Sequence, residues 1–424
     1  MKQTLKTLTI ALLTLLAVAS CTRENPFVTV HDGHFVRHGK PYEFIGTNFW
    51  YGPILASDGE GGDMARLRRE LDTLKAIGIE NLRVLVGGDG PDGVYSRVTP
   101  TLQKAPGVYN DTLLAGLDRF LVELGKRDMQ AVLYMNNSWE WSGGYSLYLE
   151  WAGAGPALIP LIDGYGPFMQ QMGQFSTNEA AQELFFDHVR TIVGRTNSVT
   201  GKPYSEDPAI FSWQIGNEPR CFTDDPDARD RFVGWLAEAA SIIKGIDPNH
   251  MVSTGNEGIM GCEASEELFE KVNAIPDVDY ITIHIWPYNW GWVRAESLGE
   301  DIGSAIGKTT EYVEAHARVS RALGKPVVAE EFGFPRDGFL FGKDDPTTAR
   351  DFYYKHVFSL VGNSCLAGAN FWGWSGFAEP SGEEWHRGDP YTGDPAQEAQ
   401  GLNGVYVTDS TIEIINNSIS NLNQ

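Results

Sequence analysis

The feature that most constrains this chain is an alternation of short apolar runs with longer amphipathic stretches, eight times over from residue 43 onward. The apolar runs are 43–48 (EFIGTN), 80–86 (ENLRVLV), 129–135 (MQAVLYM), 209–216 (AIFSWQIG), 250–255 (HMVSTG), 279–285 (DYITIHI), 326–332 (PVVAEEF) and 366–372 (LAGANFW). Each reads as a strand. Between them, stretches such as 63–77 (DMARLRRELDTLKAI) place Met64, Leu67, Leu71, Leu74 and Ile77 three or four residues apart, the spacing of one helix face. Similar stretches lie near 111–126, 179–195, 228–244, 264–273, 304–322 and 347–360. Strands joined through helices pair in parallel, and eight such units predict a closed (β/α)8 TIM barrel of the α/β class. A doubly wound open sheet is the rival. It would carry a glycine-rich phosphate turn after its first strand, whereas here the first strand runs into FWYGPILASDGEGG.

Residues 28–42 (VTVHDGHFVRHGKPY) predict a small N-terminal β-hairpin around Asp32-Gly33, placed to plug the barrel floor. Two long segments follow strands, 136–178 and 373–406. Loops after barrel strands build the active face, so both are expected to wall a cleft, the first as a long structureless loop. No repeat or linker divides the chain, so 28–424 is read as a single catalytic domain.

A net charge of −23 argues against nucleic acid or anionic lipid as a partner, since both repel such a protein. With 42% hydrophobic residues, wholesale disorder is excluded. The 12 Trp, 16 Tyr and 21 Phe suit neutral, ring-shaped ligands such as sugars, although about half of these rings are expected to be core.

Residues 1–20 have Lys2 and Lys6, an apolar run and then small residues, the layout of a signal peptide. The stretch ends Val18-Ala19-Ser20-Cys21, which resembles a lipobox, so Cys21 is the expected lipidation site and 21–27 a tether. Ordinary cleavage is the alternative. The expected location is the cell envelope, anchored by lipid, with the outer membrane favoured and no other membrane contact. Of the remaining Cys221, Cys262 and Cys365, the first two follow neighbouring strands and are candidates for a disulfide. No Cys/His spacing suggests a metal, and no cofactor motif is present.

Alternation along the fourth strand puts Ser212, Gln214, Gly216 and Glu218 inside and Phe211, Trp213 and Ile215 toward the helices. On the seventh, Val327, Ala329 and Glu331 share one side, Val328 and Glu330 the other. Glu218 and Glu331 thus both reach the mouth, with Arg83 on the second strand and His284 on the sixth aimed at the same place. A charge such as Arg83 on a strand needs a carboxylate. Two carboxylates about 5–5.5 Å apart would suit retaining glycoside hydrolysis. The acid then needs a raised pKa, and the nucleophile a cation such as Arg83 to keep it ionised.

WQIGNEPR (213–220) and KPVVAEEFG (325–333) resemble the two signature motifs of glycoside hydrolase family 5. GTNFW (46–50), NLRVLV (81–86), IHIWP around His284 and GANFWGW (368–374) fall at matching strand ends, so the resemblance spans 28 to about 415. Arg220, GNEG (255–258) and NNSWEWSGG (136–144) resemble the endo-β-mannanase branch. The resemblance implies Glu218 as acid/base and Glu331, rather than its neighbour Glu330, as nucleophile. It implies that Asn217 holds the sugar 2-hydroxyl, Arg83 and His284 support the carboxylates, Trp372 lies under the sugar at the cleavage point, and Arg220 meets a leaving-side sugar. Trp139 and Trp50 would line the cleft. Trp286 stands where the family commonly has Tyr, with Tyr288 as a substitute donor. The expected activity is a retaining endo-β-1,4-mannanase, a monomer acting on polysaccharide without cofactor or metal. A β-1,4-glucanase, an exo-acting mannosidase or mannobiohydrolase, and a non-catalytic glycan-binding lipoprotein are the alternatives.

Overall fold

The structure, a computed structural model, describes residues 25–363 and 365–422. The signal peptide and Cys21 lie outside the described residues. All eight expected barrel strands form: Phe44–Asn48, Asn81–Leu85, Gln130–Tyr134, Ile210–Gln214, Met251–Ser253, Ile281–Ile285, Val327–Phe332 and Gly368–Phe371. They pair in parallel, each with its sequence neighbour except the fifth with the sixth, and the eighth pairs with the first. Between the fifth and sixth strands the circle is closed by isolated bonds. Val252 N–H donates to the Asp279 carboxylate at 2.7 Å, Asp279 N–H to Val252 O at 2.8 Å, and His284 N–H to Glu257 O at 3.0 Å.

Two β-bulges change the side-chain directions that plain alternation predicts. In the fourth strand the register passes from Ala131↔Ile210 to Val132↔Ser212, skipping Phe211. Phe211, expected to face the helices, instead packs inside the barrel floor against Phe35 (5.3 Å between centroids) and Phe44 (5.6 Å). In the seventh strand the register passes from Ile283↔Ala329 to His284↔Glu331, so Glu330 is the extra residue. A bulge lets two consecutive residues turn to the same face. Val328 is interior and Ala329 belongs to the outer core, yet both Glu330 and Glu331 reach the interior guanidinium of Arg83.

The floor is sealed as expected. Thr29–His31, His34–Arg37 and Lys40–Pro41 form a small antiparallel sheet, one strand more than a hairpin. Asp32 (φ 50°) and Gly33 (φ 77°) supply the left-handed pair that a tight hairpin turn requires. Val28 and Phe35 insert among Phe44, Val132, Phe211, Met251, Tyr280 and Val328.

The segment 136–178 is not the structureless loop expected. It folds into the helices Gly144–Trp151, Pro160–Asp163 and Tyr165–Met172. Its aromatics explain this: Tyr145 stacks on Phe175 at 4.0 Å, and Trp235 of the helix Pro226–Ile246 meets Tyr145 edge-on at 5.6 Å. Much of the aromatic content that suggested ligand binding is therefore packing. A last helix, Thr411–Leu422, was not foreseen from its Asn-rich pattern; Ile415 and Ile419 bury it in the outer core. Arg336 ties the end of the 373–406 segment to the seventh-strand side, bonding both oxygens of Asp409 at 2.9 and 3.0 Å and the carbonyls of Gly401 and Gly404. The candidate Cys221–Cys262 disulfide does not form. Both are buried free thiols, Cys262 near Asn256 Oδ1 (3.5 Å) and Cys221 near Thr223 O (3.5 Å).

Candidate active site

The site is built outward from Arg83, whose side chain is wholly buried. Its Nε donates to Gln214 Oε1 (2.8 Å), Nη1 to Asn48 Oδ1 (3.2 Å) and to the Glu331 carboxylate, and Nη2 to Asn217 Oδ1 (2.8 Å). The Tyr134 ring packs against the guanidinium at 4.4 Å. Glu330 lies one level lower, 3.5 Å from Arg83 Nε, where it accepts from Gln214 Nε2 (2.6 Å) and Tyr280 OH (3.2 Å). Glu331 sits at the mouth and lines the cleft, whereas Glu330 does not.

Glu218 follows the fourth strand in a left-handed conformation, φ 51°, which is uncommon outside glycine and costs on the order of 1–3 kcal/mol. Its N–H bonds Gly255 O at 3.0 Å, fixing the turn against the next strand end. The carboxylate accepts from Trp139 Nε1 and lies 2.8 Å from His284 Nδ1, which is 3.3 Å from Glu331. The ligating atoms of Glu218, His284 and Glu331 all fall within 4.8 Å of one another. That approach suits the short spacing of a retaining hydrolase, about 5–5.5 Å between carboxyl groups, better than the about 6.5–9.5 Å of an inverting one.

Carboxylates this close share protons as a set. Burial would raise Glu218, but the His284 and Trp139 bonds and the charge of Arg220 outweigh it and hold this carboxyl below its ordinary value. Burial pushes Glu331 up, assisted by Glu218 and opposed by His284 and Arg83. This is the reverse of the expected pattern, a raised acid and a depressed nucleophile. The cause is that burial dominates at Glu331, whereas the His284 and Trp139 donors both reach Glu218. Hydrolysis requires the shared proton on the leaving-group side, and His284, facing both carboxylates, lies between the two positions. Glu257 adds a third carboxyl. Burial and the charge of Glu218 raise it well above the ordinary range, and it lies 3.6 Å from Arg220.

The cleft, about 420 Å³, is lined by Asn217, Glu218, Arg220, Trp139, Trp286, Trp372 and Glu331 among the residues expected. Asn217 donates to Asn137 Oδ1 (3.2 Å), and Arg220 to Met260 O (3.0 Å). Trp372 is buried, edge-on to Trp141 (6.1 Å) and Trp286 (6.2 Å). Trp139 stacks on Phe168 of the 136–178 insertion at 6.0 Å. Trp50 is not in the lining: its indole donates to Gly393 O at 3.1 Å, and it packs behind Trp141. Tyr288 lines the cleft as well, with its ring against Phe339, 4.7 Å away. Sequence reasoning missed Trp141, Glu257, Trp290, Gln397, Glu398 and Asn403 in the lining. Glu257 and Trp141 had a signal, their places in GNEG after the fifth strand and in NNSWEWSGG after the third.

A parallel barrel with paired glutamates at its fourth and seventh strand ends is the architecture of a retaining glycoside hydrolase. Residues 25–424 match the family model described as "GH family 5 beta-mannosidase-like", and the chain belongs to glycoside hydrolase family 5. It is 33% identical to the family 5 mannosidase of Rhizomucor miehei, with a TM-score of 0.86 over 94% of this chain and 98% of that one. It is 29% identical to mannan endo-1,4-beta-mannosidase 1 of Arabidopsis thaliana over 362 residues, 81% of this chain and 79% of that protein. The endo-beta-1,4-mannanase of Thermotoga petrophila shares the fold, at 24% identity and a TM-score of 0.66 over 91% of this chain and 78% of that one.

The ion pair sets a pH prediction. Arg83 lowers the Glu331 pKa, and a charge-assisted hydrogen bond contributes roughly 1.5–3 kcal/mol. At about 1.36 kcal/mol per unit, and because Glu331 is the higher of the coupled pair, Arg83→Met should move the basic limb of kcat/KM upward by about 1–2 pH units and lower its maximum, since the proton then stays more firmly on Glu331. Arg83→Lys keeps the charge and should move it less. An unmoved limb in folded Arg83→Met would show that Arg83 only braces the barrel.

Proposed function

We propose that this enzyme is a retaining endo-β-1,4-mannanase, hydrolysing β-mannan or glucomannan in the cell envelope. The observation that carries the reaction is the Glu218–His284–Glu331 cluster, in which one carboxylate oxygen of each Glu and a ring nitrogen of His284 lie within 4.8 Å of one another. Glu331 attacks the anomeric carbon while Glu218 protonates the departing glycosidic oxygen, giving a glycosyl-enzyme ester. Glu218 then removes a proton from water as the ester is hydrolysed, which restores both groups. Arg83 and Asn217 orient the nucleophile and the sugar 2-hydroxyl, Trp372 lies beneath the reacting ring, and Arg220 faces the leaving-side sugar.

Mannan as substrate is supported by the names of the plant relatives. Exo action is the second reading, favoured by the mannosidase-like family model and by the likeness to the Rhizomucor miehei mannosidase. Chromatography of products from mannan, glucomannan and carboxymethylcellulose separates these readings. Endo action predicts a mixture of short manno-oligosaccharides from the first two substrates, absent with Glu331→Ala. Release of mannose or mannobiose alone would establish exo action, and preferential cleavage of carboxymethylcellulose would overturn the mannan assignment.

The proposal includes attachment through a lipid on Cys21, supported by the lipobox-like VASC sequence after an apolar run. Cys21→Ser should release active enzyme from the membrane fraction. Unchanged membrane association would contradict it.

A further inference from the structure

The two ends of the barrel differ in charge. All eight strands run toward the mouth, so each helix that joins two of them starts at the mouth and ends at the floor. Asp111, Glu179, Asp227, Glu266, Glu300 and Asp351 stand in the first turns of six such helices. The last turns of five carry Lys75, Arg190, Lys244, Lys271 and Arg321. This placement suits the helix dipole, and it also segregates the charge. Acids near the floor are matched: Arg37 meets Glu80 and Asp128 at 2.7 Å each, and Lys244 meets Asp279 at 2.7 Å. The mouth adds Glu257, Glu398 and the two catalytic glutamates. The acidic excess behind the net charge of −23 therefore lies toward the mouth.

The described chain begins at the floor. Phe27 packs edge-on against His250 at 4.8 Å, just before the fifth strand, and Val28 is buried among the floor side chains. Asn25 is the fourth residue after Cys21, a fully extended reach of about 14 Å. The mouth is farther away than that: Met64–Ala76 and Asp111–Gly125, of 13 and 15 residues, are about 20–22 Å long at about 1.5 Å per residue. On the floor sheet His31, Asp32, His34, His38 and Lys40 are exposed. At Gly39 no atom of the described residues comes within 4 Å of the place a Cβ would take. We infer that this floor sheet rests against the headgroups of an anionic bilayer, and that the catalytic cleft opens away from it. This rests on the proposed lipid attachment at Cys21. The tether keeps the floor close to the bilayer, and repulsion between lipid phosphates and the acidic mouth opposes the inverted placement. Screening confines that repulsion to about 8 Å at physiological salt, so it acts only when the mouth tips toward the lipid. The repulsion expected from the net charge thus becomes directional, and a polysaccharide chain enters the cleft from the aqueous side.

The test compares the lipidated enzyme on vesicles of phosphatidylethanolamine and phosphatidylglycerol with the soluble Cys21→Ser enzyme. Each carries either Lys40→Cys, on the exposed floor sheet, or Ile162→Cys, 64% exposed on the short helix near the cleft-lining Tyr165. A polyethylene-glycol maleimide, too bulky to slip between protein and lipid, reads each position after labelling of the parent enzyme is subtracted. On vesicles Lys40→Cys should label about tenfold more slowly than in the soluble enzyme, equivalent to about 1.36 kcal/mol. Ile162→Cys should label at the same rate in both. Unchanged labelling at Lys40→Cys, or slowed labelling at Ile162→Cys, would overturn the placement. Activity supplies a second readout: kcat/KM for soluble mannan relative to a 4-nitrophenyl β-mannoside should be the same on vesicles and in solution. Loss of activity on vesicles for the polymer alone would show the cleft turned toward the lipid. If enzyme with Cys21 intact does not bind the vesicles, the lipid attachment fails and the placement with it, while the mannanase reading stands.

Discussion

The guanidinium of Arg83 is buried beneath the barrel mouth, and the geometry of the mouth depends on how that charge is matched. An unpaired charge in a protein interior is prohibitively costly, so each donor must find an acceptor. Asn48 of the first strand, Gln214 of the fourth, Asn217 just beyond it and Glu331 of the seventh supply them. Four strand ends are thereby held to one point. The bulge in the seventh strand belongs to the same solution, since it brings Glu330 and Glu331 to the interior together. Glu330 bonds the network from below, leaving Glu331 with one side free toward the cleft.

Around this centre, the remaining polar groups control protons rather than simple attraction. His284 faces both catalytic carboxylates, and Trp139 bonds the one at the strained left-handed position. Glu218 is held low by the His284 and Trp139 donors, whereas burial outweighs Arg83 and His284 at Glu331 and holds it high. A glycosidic oxygen arriving at Glu218 competes with those donors, so substrate binding and proton placement are linked. Glu257, whose pKa is raised by burial and by its anionic neighbour, lies beside Glu218 and within 3.6 Å of Arg220. Trp139 is itself positioned by Phe168, which gives the 136–178 insertion a mechanical connection to the acid/base.

The barrel was legible because its signals are periodic and local. Eight apolar runs and their amphipathic partners fall within a few residues of the observed elements, and the Asp32-Gly33 turn specifies the floor plug. The inward set of the fourth strand was legible at Ser212 and Gln214 and failed at Phe211, because alternation cannot anticipate a bulge. The same limit left the parity choice of Glu331 over Glu330 open to a register slip, which the family motif argued against. Glu218, Glu331, Arg83 and His284 were found because strand ends of a barrel converge by construction. Glu398 and Gln397 were not, since a long connecting segment has no period from which to read direction. The aromatics misled for a related reason: composition cannot distinguish Tyr145 in a stack from Trp372 in a cleft.

The central claim is that Glu331, held by Arg83, forms a covalent bond to the sugar while Glu218 manages the proton. Incubation with 2-deoxy-2-fluoro-β-mannosyl fluoride slows breakdown of the intermediate, and mass spectrometry of peptides then locates the attached sugar. The account predicts one fluoromannosyl group per enzyme molecule, on the peptide containing Glu331 and at that residue. Attachment to Glu218 or Glu330, or hydrolysis of an aryl β-mannoside with inversion at the anomeric carbon, would contradict it.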